Sequence, residues 1–389
     1  MKTQVRSGLV VGVLLGALLS AEGALPANVK RQEKPVAKGV TLVTFSNEKQ
    51  PMHAFMAKID LKTSKLKMAA VNGSNKSCSR LKPEETAQLL KKAKRVPVVG
   101  TNADFFENSS SLTAGQTVRI AVSDGKLMGT GFLNDANGSN YLYENTDGEI
   151  DIAPLRFKGS VTAGGTPYPI IYVNTKHAQL GEDTASQPNG VGVFTAYWGG
   201  PLPGPGVLVK LAKPFTKGDV EVSDLKATVV APAKAGMIMK TNDPLMVAIV
   251  GTGASVKEIS ALKPKSEVTL NWCLTGGKGK IRNAIGVWVE PMVNGVISDT
   301  HEEKNYPRTA FGMNKEKGLF ALFVVDGRQP KWSTSLTSRQ MAELMKEEGC
   351  DYVGQFDGGG SSALWTSKGG IVNGVKNTRA VGSSLFFTN

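Results

Sequence analysis

Leu319-Phe-Ala-Leu-Phe-Val-Val325-Asp326-Gly-Arg328 opens with seven apolar, aromatic and β-branched residues and stops abruptly at a carboxylate. Such a run reads as a strand buried on both faces. Thr337 then stands three residues before Gln340 in a capping-box pattern, Met341, Leu344 and Met345 recur at helical spacing, and Gly349 ends the helix. A second strand, Tyr352 to Phe356, delivers Asp357. Strand, helix and strand in this order predict a βαβ unit with parallel strands and a right-handed crossover. The expected fold class is therefore α+β, a mixed sheet with a βαβ unit near the C-terminus and additional antiparallel strands. Parallel strands would bring Asp326 and Asp357 to one sheet edge, at the carboxyl ends where open α/β sheets bind ligands.

The run Phe356-Asp-Gly-Gly-Gly-Ser-Ser-Ala-Leu364 adds three glycines and two hydroxyls behind the second aspartate. Consecutive glycines are costly to order and give a core nothing to pack, so they mark a sharp bend or a close approach to a ligand. A plain Gly-rich turn is the structural alternative. Thr309 to Asn314 alternates and is joined to Leu319 through Lys315-Glu-Lys-Gly318, a hairpin connection. The hairpin sets Arg308 beside Asp326 and Arg328. Two arginines and two aspartates at one rim, next to a triglycine loop, point to an anion-binding catalytic pocket rather than a surface ion-pair cluster. Gly358, Gly359 and Gly360 would offer backbone N–H groups to an anion, and Ser361 and Ser362 would offer hydroxyls.

A third strand end is predicted from Pro83 to Lys94, which has proline near a helix start, glutamates in the first turn and lysines in the last. Val96 to Gly100 follows as a short strand, then Thr101-Asn102-Ala-Asp104-Phe-Phe106. Read alone, this last piece is a turn whose Asn and Asp bond their own backbone while the phenylalanines enter the core. Thr195-Ala-Tyr-Trp198 reads either as core or as an aromatic platform beneath a sugar ring.

In order along the chain, Asn102-Ala-Asp-Phe-Phe, Ser123-Asp-Gly125, Arg308-Thr-Ala-Phe-Gly, Val325-Asp-Gly-Arg328, the Thr337 helix, Asp357-Gly-Gly-Gly-Ser-Ser, Asn373 and Arg379 resemble the phosphodiester glycosidases. The resemblance implies hydrolysis of the sugar–phosphate glycosidic bond of a sugar-1-phosphodiester, N-acetylglucosamine-like, to free sugar and a phosphomonoester. It implies catalytic roles for Asp357, Asp326 and Arg308. Substrate contacts are implied for Asn102, Arg328, Gly358, Gly359, Gly360, Ser361, Ser362, Thr195 and Arg379. Two positions depart from the family pattern: Asp104 stands where a small residue is common, and Trp288 lies where smaller residues are expected. Two other readings remain open. One is a metal-dependent phosphodiesterase that cleaves the P–O bond with both aspartates on a divalent cation. The other is a non-catalytic envelope module that binds anionic glycan.

The chain of 389 residues, 41% of them hydrophobic, can bury a substantial core. Lys2 and Arg6 precede the apolar run Gly8 to Leu19, and Ala21-Glu-Gly23 supplies small residues for cleavage. This is a secretory signal pattern over 1–23, followed by a polar linker over 24–38 and a catalytic domain over 39–389. The mature protein is expected to be secreted or periplasmic, without a stable membrane anchor. Cys78, Cys273 and Cys350 are too few for a disulfide framework, and His53, His177 and His301 show no metal-ligand or nucleophile-elbow spacing. A net charge of +13 favours phosphorylated glycans. The lysines are spread without aromatic interleaving, so a specific nucleic-acid groove is not expected. No cofactor is required by any motif, and nothing in these residues sets an oligomeric state.

Overall fold

Alternate residues of Leu319–Val325 enter two different cores. Phe320, Leu322 and Val324 lie in one, and Ala321, Phe323 and Val325 lie in the other. A strand with period-two side chains that are apolar on both faces must be covered on both. In the computed structural model, which describes residues 28–109, 111–131, 139–176, 184–215, 220–239, 243–298 and 306–389, this strand is central in an eight-stranded sheet. The sheet order is Lys30–Ala37, Val40–Asn47, Met52–Asp60, Leu319–Val325, Arg308–Asn314, Tyr352–Gln355, Val289–Val293 and Val296–Ile297. Helix Ser338–Glu347, with Thr337 and Gln340 forming the predicted capping box, covers one face with Met341, Ala342, Leu344 and Met345.

The other face packs on a five-stranded sheet ordered Gly370–Ile371, Leu364–Thr366, Pro97–Asn102, Ser383–Thr388 and Lys67–Asn72. Helix Pro83–Lys92 lays Ala87 and Leu90 on the far side of that second sheet, against Trp365 and Phe386. The middle of the chain closes a barrel of seven strands, filled by side chains such as Val161, Val193, Val207, Ile249 and Leu270. A further five-stranded sheet contains Ile281–Gly286 and Asn140–Asn145.

The expected α+β architecture built on a βαβ unit is overturned. Strands make up 48% and helices 11% of the structure, so the protein is mostly β. Leu319–Val325 and Tyr352–Gln355 do not pair with each other; Arg308–Asn314 lies between them and pairs antiparallel with both. Hydrophobic period identifies a strand but not its neighbour, and the hairpin partner took the slot that a parallel pair would have occupied. Because both strands oppose the same neighbour they run in one direction, and Asp326 and Asp357 still leave the sheet at one edge. Part of the stretch read as a linker is also structured, since Lys30–Ala37 pairs antiparallel with Val40–Asn47 at the sheet margin. The signal pattern at 1–23 lies outside the described residues, as do His177 and His301. Among the described residues no helix is long and apolar enough to cross a membrane, and all three cysteines are free.

Phe311 knits the sheet edge to the site. Its ring lies 5.8 Å from Phe320, 5.8 Å from Tyr352 and 5.1 Å from Phe356, the residue that leads into Asp357. Phe311→Ala is expected to lower the unfolding free energy by about 3–5 kcal/mol, read from urea denaturation. A loss below about 1 kcal/mol would show that the aromatic cluster does not hold this edge.

Candidate active site

Strand Tyr352–Gln355 hands its end from one sheet to the other. The Phe356 amide still donates to the Thr309 carbonyl of the large sheet at 2.9 Å, but the next amide, of Asp357, donates to the Ala103 carbonyl at 2.9 Å. Asn102 locks this switch: its Nδ2 donates to the Asp357 carbonyl at 2.6 Å, and its Oδ1 accepts from Thr309 Oγ1 at 2.9 Å and from the Ala363 amide at 3.2 Å. Asn102 is fully buried. It therefore positions the aspartate rather than presenting its amide to a ligand.

The triglycine then turns. Gly359 has φ +60 and donates its amide to the Pro307 carbonyl at 2.7 Å, so that N–H holds the turn instead of an anion. A Cβ on Gly360 would stand 2.7 Å from Arg379 Nη2, so the guanidinium lies close against this backbone. Burial pushes the Asp357 carboxyl up to about 6, against the Ser361 hydroxyl, the Arg379 charge and the Gly358 amide. Ser361 Oγ opposes the rise by proximity without completing a hydrogen bond of good geometry.

Asp326 is buried at the end of strand Leu319–Val325 and is held by three donors. Its Oδ2 accepts from Trp332 Nε1 at 2.8 Å and from the Gly374 amide at 2.7 Å, and its Oδ1 accepts from Asn373 Nδ2 at 2.9 Å. Asp326, Arg328, Gly359, Gly360 and Ser362 all line a cavity of about 370 Å³, together with Gln329, Lys376 and Asn377. Ser362 Oγ is buried there without a hydrogen-bond partner among the described residues. Arg328 is exposed and left-handed, with φ +58, a conformation that costs a non-glycine residue free energy and recurs at functional sites.

Arg308 does not line the cavity. It is buried, donates from Nε to the Leu336 carbonyl at 2.9 Å, and lies 4.7 Å from the centre of the Tyr306 ring, which Arg328 approaches at 5.4 Å. Thr195 does not line the cavity: it follows the barrel strand Gly190–Phe194, and its hydroxyl accepts from Asn174 Nδ2 at 2.9 Å and from the Tyr197 amide at 3.2 Å. Trp198 is core, with 1% of its surface exposed, and this removes Trp198 as a platform.

The residues missed by sequence reasoning are Tyr306, Gln329, Trp332, Lys376 and Asn377. Lys376 lies three residues before Arg379, the only local hint; the others stand in connecting segments without pattern. Asp104, set aside as a departure, is buried next to the site. Burial pushes its carboxyl up to about 7, the Arg119 charge and amides oppose this, and the nearby Asp357 adds to it. Its Oδ2 accepts from the Arg119 amide at 3.1 Å.

Both raised carboxyls cost stability as they ionise. The folded state binds their protons more tightly than the unfolded chain, so their favourable contribution is complete below the ordinary value of 3.8 and disappears as pH rises through about 6 for Asp357 and about 7 for Asp104. Asp357→Asn and Asp104→Asn are each expected to be more stable than the parent at pH 8, by roughly 1–3 kcal/mol, and to flatten the decline of Tm between pH 4 and 8. Parallel Tm–pH curves for parent and both variants would contradict this.

Residues 216–388 match the family model described as phosphodiester glycosidase. No curated protein matches the chain. Among solved structures, a Burkholderia pseudomallei protein whose name describes it as exported is 14% identical with TM-score 0.67, covering 94% of this chain and 97% of that one. A Synechocystis protein of unstated function is 14% identical with TM-score 0.63, over 94% of this chain and 69% of that one. Both establish a shared fold. The catalytic domain of zebrafish N-acetylglucosamine-1-phosphodiester alpha-N-acetylglucosaminidase, auto-inhibited by its pro-peptide, is 14% identical over 93% of this chain and 88% of that one, with a TM-score of 0.43 that is too low to establish a common fold. Arg308, Asp326, Asp357 and the cavity wall fall within the matched stretch, and over residues 216–388 the chain is similar to the phosphodiester glycosidases, the family its motifs resemble.

Proposed function

We propose that the protein hydrolyses the bond between the anomeric carbon of a sugar, N-acetylglucosamine-like, and a phosphodiester. Water adds to the anomeric carbon, the C–O bond to phosphate breaks, and free sugar and a phosphomonoester leave. The observation that carries this reading is one cavity in which Asp326 and the unpartnered Ser362 hydroxyl face Arg328 and Lys376, walled by the turn that bears Asp357. Arg328 and Lys376 offset the phosphate charge, and Ser362 supplies a hydrogen bond that nothing in the described protein satisfies.

Asp357, raised to about 6, is matched as a general acid to a phosphomonoester oxygen, whose own second ionisation lies near the same pH. Asp326, immobilised by three donors, is the carboxylate that faces the developing positive charge at the anomeric carbon. Arg308 and Asn102 act from behind by holding the strand ends. In this reading the two aspartates serve as acid and electrostatic groups. The signal-like pattern of residues 1–23 accords with action outside the cytoplasm.

Product analysis tests the reading. With a simple N-acetylglucosamine-1-phosphodiester, free sugar and phosphomonoester are expected, with kcat lowered by about 10²–10⁴ in Asp357→Asn and KM raised in Arg328→Ala. Release of sugar-1-phosphate instead would identify P–O cleavage and overturn the assignment. Undiminished turnover in Asp357→Asn would remove the acid role.

A further inference from the structure

We propose that Trp288, backed by Phe105 and Arg119, is the platform on which the neutral sugar ring stacks; this rests on the phosphodiester reading and names the half of the site that receives the sugar. Asp357 stands at a junction. The turn that follows it lines the polar cavity, whereas the strand that precedes it runs beside Trp288: the Trp288 amide donates to the Gln355 carbonyl at 2.9 Å, and Val289 pairs with Gln355. Neither Asp357 nor Trp288 is part of the cavity wall. The segment that bears Asp357 therefore leads into the basic cavity on its far end, and on its near end it is bonded to the backbone of Trp288.

That indole is held in place yet 42% exposed. Its ring lies 4.6 Å from Phe105 at 44° and 4.9 Å from the Arg119 guanidinium carbon. Asp104 tethers the Arg119 backbone at 3.1 Å, and Gly286 makes room, since a Cβ there would stand 2.5 Å from Arg119 Cδ and 2.8 Å from Asp104 Oδ2. Phe105 follows Asp104 directly, and Ala103 receives the Asp357 amide, so one short segment sets both the carboxyl and the base of the platform. A rigid aromatic surface loses little conformational entropy when a ligand covers it. The apolar C–H face of a pyranose gains by leaving water against the ring. The basic cavity takes the charged half of the substrate, which leaves the neutral sugar as the occupant of the aromatic face.

Two measurements keep the platform and the reaction separable. Methyl N-acetylglucosaminide and inorganic phosphate are titrated separately by calorimetry into the parent, Trp288→Ala and Trp288→Phe, each checked for an unchanged Tm. Sugar affinity is expected to fall about tenfold in Trp288→Ala and largely recover in Trp288→Phe, with phosphate affinity unaltered, and the KM for the diester to rise about tenfold, more than kcat falls. Equal sugar binding by parent and Trp288→Ala, or none by the parent, overturns the platform even if the diester is hydrolysed. Trp288-dependent sugar binding without diester hydrolysis sustains the platform and removes the reaction.

Discussion

One buried amide side chain joins the two sheets where the site is made. Asn102 bonds the Asp357 carbonyl, the Thr309 hydroxyl and the Ala363 amide from a position with no exposed surface. Each partner belongs to a different segment, and each would be a buried polar group without a mate if the amide were lost, a penalty of roughly 1–3 kcal/mol apiece. The triglycine turn, the cavity wall beyond it and the direction of the Asp357 carboxyl all follow from this connection. Phe356, packed against Phe311, supplies the apolar half of the same joint.

Around that joint the protein gathers features that a stability-driven fold would avoid. Two carboxyls are buried enough for their proton affinity to rise, Arg328 is left-handed, and the Ser361 and Ser362 hydroxyls lack hydrogen-bond partners among the described residues. Concentrated strain and perturbed titration within one region are a physical signature of a working site. The remainder of the fold is conventional, with β-layers packed through aliphatic and aromatic faces and a barrel filled by side chains.

The two aspartates differ in how they are held. Asp326 receives three neutral donors, whereas Asp357 is embedded among backbone, a hydroxyl and the charge of Arg379. The same residue type is thus placed in two different environments.

Local sequence determined what depends on short-range chemistry: the buried strand Leu319–Val325, the capping box at Thr337, the hairpin that sets Arg308 beside Val325, and the glycine run behind Asp357. Each is written in spacing of a few residues, where period, caps and backbone freedom act directly. Only the tertiary structure decided that Arg308–Asn314 separates the two strands expected to pair, that residues 30–37 form a strand, and that the middle of the chain closes a barrel. It also decided that Asn102 and Arg308 are buried, that Thr195 is bonded to Asn174 beside the barrel, that Trp332 bonds Asp326, that Lys376 lines the same cavity and that Tyr306 lies against Arg308 and Arg328. Strand partnership and side-chain convergence come from segments far apart in the chain, whose pairing is chosen by the burial of whole faces, and no local pattern encodes that choice.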